Sequence, residues 1–111
     1  GFFRWLAQHH PASYFFVECK NYTADPANPE LDQLAGRFSP RRGRCGMLVT
    51  RRFDNPVLFL RRCRDTADDD RGFIIPVDDA DLQRLVADRS VGGGEDLRFP
   101  LLRERLDALV M

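Results

Sequence analysis

Residues 45–77 read CGMLVTRRFDNPVLFLRRCRDTADDDRGFIIPV, and this stretch carries the clearest structural pattern in the chain. Two short apolar runs, at 45–50 and 72–77, have the length and the aromatic or β-branched content of strands. Between them, Asn55 and Pro56 form a typical helix start, and apolar residues recur after them at helical spacing. A strand, a helix and a second strand in this order predict a right-handed crossover between parallel strands.

The same unit occurs once more, upstream of this stretch. Residues 14–19, YFFVEC, form another strand-like run, and NPELDQLAGRF at 28–38 begins with Asn28 as a candidate cap and Pro29 at the first helical position. Pro76 indicates that the last strand is short or lies at an edge. The sequence therefore predicts an α/β fold with a mainly parallel sheet in the order β-α-β-α-β-α.

Further helices flank this core. GFFRWLAQHH at 1–10 and DDADLQRLVADR at 78–89 both have helical spacing of apolar residues. We predict one domain, with a partial α/β unit at 1–91, a flexible glycine joint at 92–95 and an amphipathic C-terminal helix of the same domain at 96–111.

Composition limits the class of protein. The chain has 111 residues, no net charge, three scattered cysteines and no apolar run as long as a membrane span, which predicts a soluble cytoplasmic protein. The charge is nevertheless segregated: residues 37–64 hold nine arginines and one acid, whereas residues 65–96 hold ten acids and three arginines. Such blocks form either two solvated faces of opposite sign or a basic surface that meets phosphates.

Lys20, within YFFVECKNY at 14–22, is the only lysine in a chain with sixteen arginines. Strand alternation places Glu18 and Lys20 on one face, at the carboxyl end of a strand, which is where parallel sheets bind ligands. The simpler interpretation of Glu18 and Lys20 is a salt bridge at the end of the strand. The bias toward arginine favours a more specific role, because lysine supplies a compact, tunable charge of the kind that suits chemistry at phosphorus.

These residues carry a resemblance. VECKNY, followed by NPELDQLAGRFSPRRGRCGMLVTRR and LFLRRCRDTADDDRGFII, resembles the restriction-endonuclease-like superfamily of PD-(D/E)XK nucleases over residues 14–86. The resemblance implies a three-layer core and a divalent-metal-dependent endonuclease that hydrolyses DNA phosphodiester bonds with Mg²⁺ or Mn²⁺.

The resemblance also implies roles for particular residues. Glu18 matches the metal-binding acid and Lys20 the catalytic lysine, and the backbone carbonyl of Cys19 matches a further metal ligand. Gln33 matches a glutamine that some members place on the following helix near the site; a solvated helix residue is the alternative. Hard oxygen ligands suit Mg²⁺, which polarises a phosphate and activates water.

One departure weakens the match. The superfamily's first acid, an aspartate on a preceding strand, has no counterpart, because residues 1–17 contain no Asp or Glu. His9 and His10 are the other nearby ligand candidates, although adjacent histidines also suit an exposed loop. We expect either that the aspartate lies upstream in a longer parent protein, or that the chain is a catalytically degenerate module that binds DNA or a protein partner.

The arginines sort by position along the predicted elements. Arg51 and Arg52 follow the second strand and are predicted to contact DNA phosphates at the same edge as Lys20. Three others, Arg41, Arg42 and Arg44, are predicted at a helix C-terminus on the opposite edge, where the helix dipole accounts for them. A third alternative for the function of the chain is an α/β scaffold that forms a homodimer through its C-terminal helix.

Overall fold

The computed structural model describes residues 1–10, 14–20, 25–92 and 99–110. Within them the chain forms five helices and three strands. In chain order the elements are α1 (Phe2–His9), β1 (Phe15–Cys19), α2 (Asn28–Ala35), β2 (Cys45–Val49), α3 (Pro56–Asp68), β3 (Phe73–Val77), α4 (Asp79–Gly92) and α5 (Pro100–Val110). No helix in these ranges is long and apolar enough to cross a membrane.

The three strands form a parallel sheet in the order β1-β2-β3, which confirms the predicted α/β class. Val17 is paired with Met47, and Met47 with Ile75, so the three strands end level with one another. The central strand β2 is buried along its whole length, as expected for a parallel strand covered on both faces. Pro76 lies on β3, an edge of the sheet that the structure describes, as its missing N–H requires.

Polar side chains fix the start of α3 as the sequence predicted. Asn55 Oδ1 accepts a hydrogen bond from the backbone N–H of Leu58 at 3.1 Å, and Pro56 occupies the first turn. The carboxylate of Asp25 also accepts from the N–H groups of Asp54 (2.7 Å) and Asn55 (2.8 Å). The loop before α2 is thereby tied to the loop that follows β2.

The start of α2 differs from the prediction. Asn28 is the first residue of the helix and Ala27 is its N-cap residue, so the side chain of Asn28 is not the cap. The carboxylate of Glu30 instead accepts from the N–H of Ala27 at 2.7 Å. The helix ends at Ala35, before Phe38, although Phe38 still packs against the core.

The C-terminal helix packs inside the same domain, against α3, β3 and α1. Its apolar stripe, Leu102, Leu106 and Leu109, is buried in the core of the chain. The helix begins at Pro100 rather than at 96, with proline in its favoured first position. Of the predicted glycine joint, Gly92 is the last residue of α4, and the remainder lies outside the described residues.

Gly46, on β2, brings β1 close to the sheet. A Cβ atom at this position would lie 2.7 Å from the carbonyl oxygen of Phe16 and 3.1 Å from its Cβ. Because the nearest atom belongs to the backbone, no side-chain rotation relieves the overlap. Gly46 therefore sets the distance at which β1, and every side chain it carries, packs against β2.

Candidate functional site

The end of β1 determines where Glu18 and Lys20 lie. The backbone N–H of Lys20 donates to the carbonyl of Val49 at 2.8 Å, which continues the parallel ladder one residue past Cys19. Alternation along this extended segment places Phe16, Glu18 and Lys20 on one face. We call this the even face of β1; Tyr14, which immediately precedes the strand, belongs to it as well.

Four side chains meet at the carboxyl end of the even face: Glu18, Lys20, Gln33 and Arg37. We call them the polar centre. Lys20 Nζ lies 3.3 Å from Glu18 Oε1 and donates to Gln33 Oε1 at 3.4 Å. Arg37 Nη1 lies 2.8 Å from the other carboxylate oxygen, Glu18 Oε2. The side chains of Glu18 and Lys20 are each 15% exposed, whereas that of Arg37 is 50% exposed.

Three residues singled out in the sequence are thus brought together. Glu18 lies on β1 and Lys20 directly follows it, while Gln33 on α2 is exposed and its Oε1 accepts a hydrogen bond from Lys20 at 3.4 Å. The strand-end salt bridge, the simpler interpretation of Glu18 and Lys20, is present as well.

Arg37 is the member of the polar centre that the sequence did not reveal. It follows α2, four residues after Gln33, and so returns to the same side as one helical turn would. A carboxylate that is mostly shielded from water needs its charge compensated at both oxygens, and Lys20 reaches only one of them. If Glu18 is expected to be buried, its second carboxylate oxygen should need a cation besides Lys20, and this expectation could have pointed to Arg37.

The described residues supply only part of the ligand set that the divalent ion implied by the resemblance requires. Both oxygens of Glu18 already contact cations, and no three His, Cys, Asp or Glu side chains in the described ranges are grouped so that they could hold a metal. The side chain of Cys19 is on the opposite face of β1 and exposed, leaving only its backbone carbonyl as a candidate ligand. One carboxylate and one carbonyl are fewer ligands than a divalent ion requires from a protein that binds it unaided.

The histidine candidates belong to a different part of the molecule. The ring of His10 packs edge-on against Trp5 (5.5 Å between centroids) and Phe73 (5.3 Å). Burial lowers the pKa of His10, and the nearby His9 and Arg103 lower it further. His10 is therefore a packed aromatic residue of the α1 face.

Arg51 and Arg52, predicted as phosphate contacts, have different surroundings. Arg51 lines a cavity of about 210 Å³ beside Lys20 at the carboxyl edge, together with Cys19, Val49, Thr50 and Asp79. Arg52 is not among the residues lining this cavity; its side chain is 84% exposed and its Nε lies 3.6 Å from Asp54. The structure thus brings Arg51, but not Arg52, next to Lys20.

The arginines predicted at a helix C-terminus are not in that position. Because α2 ends at Ala35, Arg41 and Arg42 lie beyond its last turn, within a turn closed by a bridge between Ser39 and Gly43. The field of a helix end falls off within its last turn, so the helix dipole does not account for them. Arg44 has an ordinary partner, with its Nη1 3.6 Å from Asp70.

Comparison of the chain with models of known protein families found no match, and comparisons with curated proteins and with solved structures found none either.

Proposed function

We propose that this chain contributes to a nuclease-type domain that hydrolyses DNA phosphodiester bonds, and that the polar centre is its reactive edge. The observation that carries the proposal is the convergence of Glu18, Lys20 and Gln33 at the carboxyl end of a parallel strand. Ligands of open α/β sheets bind at this end, and a carboxylate beside a lysine suits attack of water on phosphorus.

In hydrolysis, water adds to phosphorus and gives up a proton, the bond to one ester oxygen breaks, and that oxygen takes a proton from solvent. The ammonium of Lys20 is placed to contact a non-bridging phosphate oxygen, where it stabilises the negative charge of the transition state. Glu18 is placed to accept the proton of the attacking water, and Gln33 holds the Lys20 side chain in position. The described residues do not provide a complete ligand set for a divalent ion, so no step is assigned to one; Mg²⁺ or Mn²⁺ binding stays a prediction.

A second candidate function is binding of nucleic acid without chemistry, by a degenerate nuclease-like module. It is favoured by one observation: both oxygens of Glu18 contact cations, which neutralises the only acid on the even face of β1. Arg51 and Asp79 both line the adjoining cavity, so the five charged side chains of this edge still carry one net positive charge, which suits a phosphate backbone.

One experiment separates the two. The chain is incubated with a labelled single strand, its duplex and a supercoiled plasmid, in Mg²⁺, in Mn²⁺ and in EDTA, and cleavage and binding are both measured. Hydrolysis predicts cleavage that falls by about 10²- to 10³-fold in Lys20→Met and in Glu18→Gln. Matched controls are Arg84→Met and Glu104→Gln, which alter exposed residues of α4 and α5 and should leave cleavage unchanged.

Cleavage that survives unchanged in Lys20→Met and Glu18→Gln would falsify the hydrolase proposal. Binding without any cleavage, weakened by Lys20→Met, supports the second candidate. Absence of both cleavage and binding overturns both.

Two further predictions belong to the proposal. Cytoplasmic location is one, and pairing of two copies through α5 is the other. Because the stripe of α5 formed by Leu102, Leu106 and Leu109 is buried within the chain, such pairing has to use the exposed side of the helix, which includes Val110.

A further inference from the structure

A second surface lies at the other end of the even face of β1. The side chains of Tyr14, Phe16, Arg41 and Arg42 line an open groove of about 510 Å³, and we call it the amino-edge groove. The turn that carries the arginines is attached to this end of β1, because the N–H of Tyr14 donates to the carbonyl of Arg42 at 2.7 Å. Residues 28 positions apart in the sequence are thereby held side by side.

The aromatic part of the groove is exposed in an unusual way. Tyr14 is 65% exposed, the exposure of a surface residue. Phe16 next to it is partly buried and packs against Phe38 at 5.6 Å between ring centroids, which fixes the floor of the groove. A large ring held in the open beside a rigid aromatic floor offers a surface on which a flat ligand can stack.

The charged part of the groove has no compensating acid. Neither Arg41 nor Arg42 forms an ion pair within the described residues, in contrast to Arg37 and Arg44. The segment 36–52 contains six arginines and no Asp or Glu. The groove is therefore complementary to an anionic ligand, and its aromatic rings favour a ligand that also has a planar group.

We propose that the amino-edge groove binds single-stranded nucleic acid, with a base stacked on Tyr14 and phosphates held by Arg41 and Arg42. Aromatic stacking platforms inside a basic groove are the general means of binding single strands without reading their sequence. An acidic peptide would satisfy the arginines but would leave the exposed ring unused. In a duplex, by contrast, the bases are stacked on each other and do not present their faces to Tyr14.

The even face connects this groove to the polar centre. From Tyr14 to Lys20 is six residues of extended chain, roughly 20 Å at about 3.3 Å per residue. Among the described residues of that face, 14–20, Glu18 is the only acid, and Lys20 and Arg37 neutralise it. A strand with a stacked rise of about 3.4 Å per nucleotide needs about six nucleotides to reach from Tyr14 to Lys20.

This inference deepens the proposed function, because it names single-stranded nucleic acid as the ligand class. It is tested by fluorescence anisotropy of the full chain with labelled oligodeoxythymidylates of 3, 6 and 12 nucleotides, in EDTA so that cleavage does not interfere. We expect affinity to rise from 3 to 6 nucleotides and then to level off. Tyr14→Ala should weaken binding of the 12-mer about 5- to 100-fold, whereas Tyr14→Phe, which keeps the ring, should bind within about twofold of the unsubstituted chain.

The arginines are tested by salt dependence. Replacing both Arg41 and Arg42 by alanine should reduce the slope of log affinity against log salt concentration by about 1.4, the value for two lost contacts to a single strand. The matched control is the double replacement of Arg61 and Arg64, exposed arginines of α3 whose cavity also contains Asp65 and Asp68, and we expect its slope to be unchanged. Circular dichroism during thermal unfolding verifies that each variant is folded.

Any one of the following results would overturn the inference. The first is equal binding by Tyr14→Ala and by the unsubstituted chain, and the second is an equal loss of slope in the Arg61 and Arg64 control. The third is equal binding of a 12-mer without bases, or displacement of the oligonucleotide by poly-glutamate as effectively as by itself, which would identify a general polyanion patch. Failure of the proposed function has a different signature: Lys20→Met then changes neither cleavage nor binding, while the dependence on Tyr14 persists.

Discussion

The two ends of the even face of β1 differ in whether their charged side chains are paired and shielded from water. At the carboxyl end, the charges of Glu18, Lys20 and Arg37 are paired with one another and Glu18 and Lys20 are largely shielded from water. At the amino end, Arg41 and Arg42 are exposed and form no ion pair within the described residues.

Under the proposed function, this difference corresponds to two roles, reaction at the carboxyl end and binding at the amino end. Charges that are paired and fixed are positioned in advance, which is what chemistry at a defined atom requires. Charges that are unpaired and exposed lose little on meeting a ligand and gain affinity from the counterions that the ligand releases. The same strand can therefore carry a reactive site at one end and a binding site at the other.

The largest expected effect comes from Gly46→Ala, which breaks both ends together. The added Cβ would lie 2.7 Å from the backbone oxygen of Phe16, so β1 has to move away from β2. We expect a loss of about 1 to 3 kcal/mol in the free energy of unfolding, measured by chemical denaturation, with binding at both ends weakened. An unchanged unfolding midpoint would show that β1 is not held by this contact.

A smaller effect distinguishes the two arginines that follow β2. Arg51 lines the cavity beside Lys20, whereas Arg52 points to Asp54 and solvent. Arg51→Ala should lower the slope of log affinity for DNA against log salt by about 0.7 to 0.9, as for one lost phosphate contact. Arg52→Ala should lower it by less than half as much, and equal slopes for the two variants would contradict the difference between their positions.

Arg37→Gln tests whether the ion pair with Arg37 prevents Glu18 from binding a metal ion. Removing the guanidinium releases one carboxylate oxygen, and we expect Mn²⁺, followed by its EPR signal, to bind about two- to fivefold more tightly, the range for a half-exposed ion pair of 0.5 to 1 kcal/mol. Glu18→Gln serves as the comparison, since it should abolish that gain when combined with Arg37→Gln. Identical Mn²⁺ affinities of Arg37→Gln and the unsubstituted chain would show that Arg37 does not compete for Glu18.

The smallest effect lies away from both ends, at His10. Burial lowers its pKa in the folded chain, so below about pH 6.5 the unfolded chain binds more protons than the folded one. The contribution of His10 to stability is therefore complete above that pH and is lost as the pH falls toward the lowered value. The denaturation midpoint of the unsubstituted chain minus that of His10→Phe, measured between pH 7.5 and 5.5, should decrease as the pH falls; a constant difference would contradict this.

Much of the fold could be predicted because its signals are local. Apolar runs of strand length and the Asn-Pro starts predicted every element of the sheet and its crossovers, and Asn55 caps α3 as expected. The start of α2 was predicted wrongly. The helix begins one residue earlier than expected, with Ala27 as its N-cap residue, and the carboxylate of Glu30 accepts a hydrogen bond from the N–H of Ala27.

The candidate site could be predicted only in part. Alternation along β1 was sufficient to place Glu18 beside Lys20, since both lie on one strand. The amino-edge groove was not foreseen, because it depends on a bond between Tyr14 and Arg42 that joins distant segments, and on α2 ending at Ala35. The sequence contains no local pattern that predicts which distant segment a turn will contact.

Nuclear magnetic resonance of the ¹⁵N-labelled chain, titrated with an unlabelled 12-mer of deoxythymidylate in EDTA, shows whether one strand of nucleic acid contacts both ends of β1. If a strand lies along the even face of β1, the backbone signals of Tyr14 and Arg42 and the side-chain amide of Gln33 should all shift and saturate together. The signals of Arg64 on α3 and Arg84 on α4 should stay in place. Shifts confined to α3 and α4, or confined to one end of β1, would contradict the claim that one strand of nucleic acid joins the two ends.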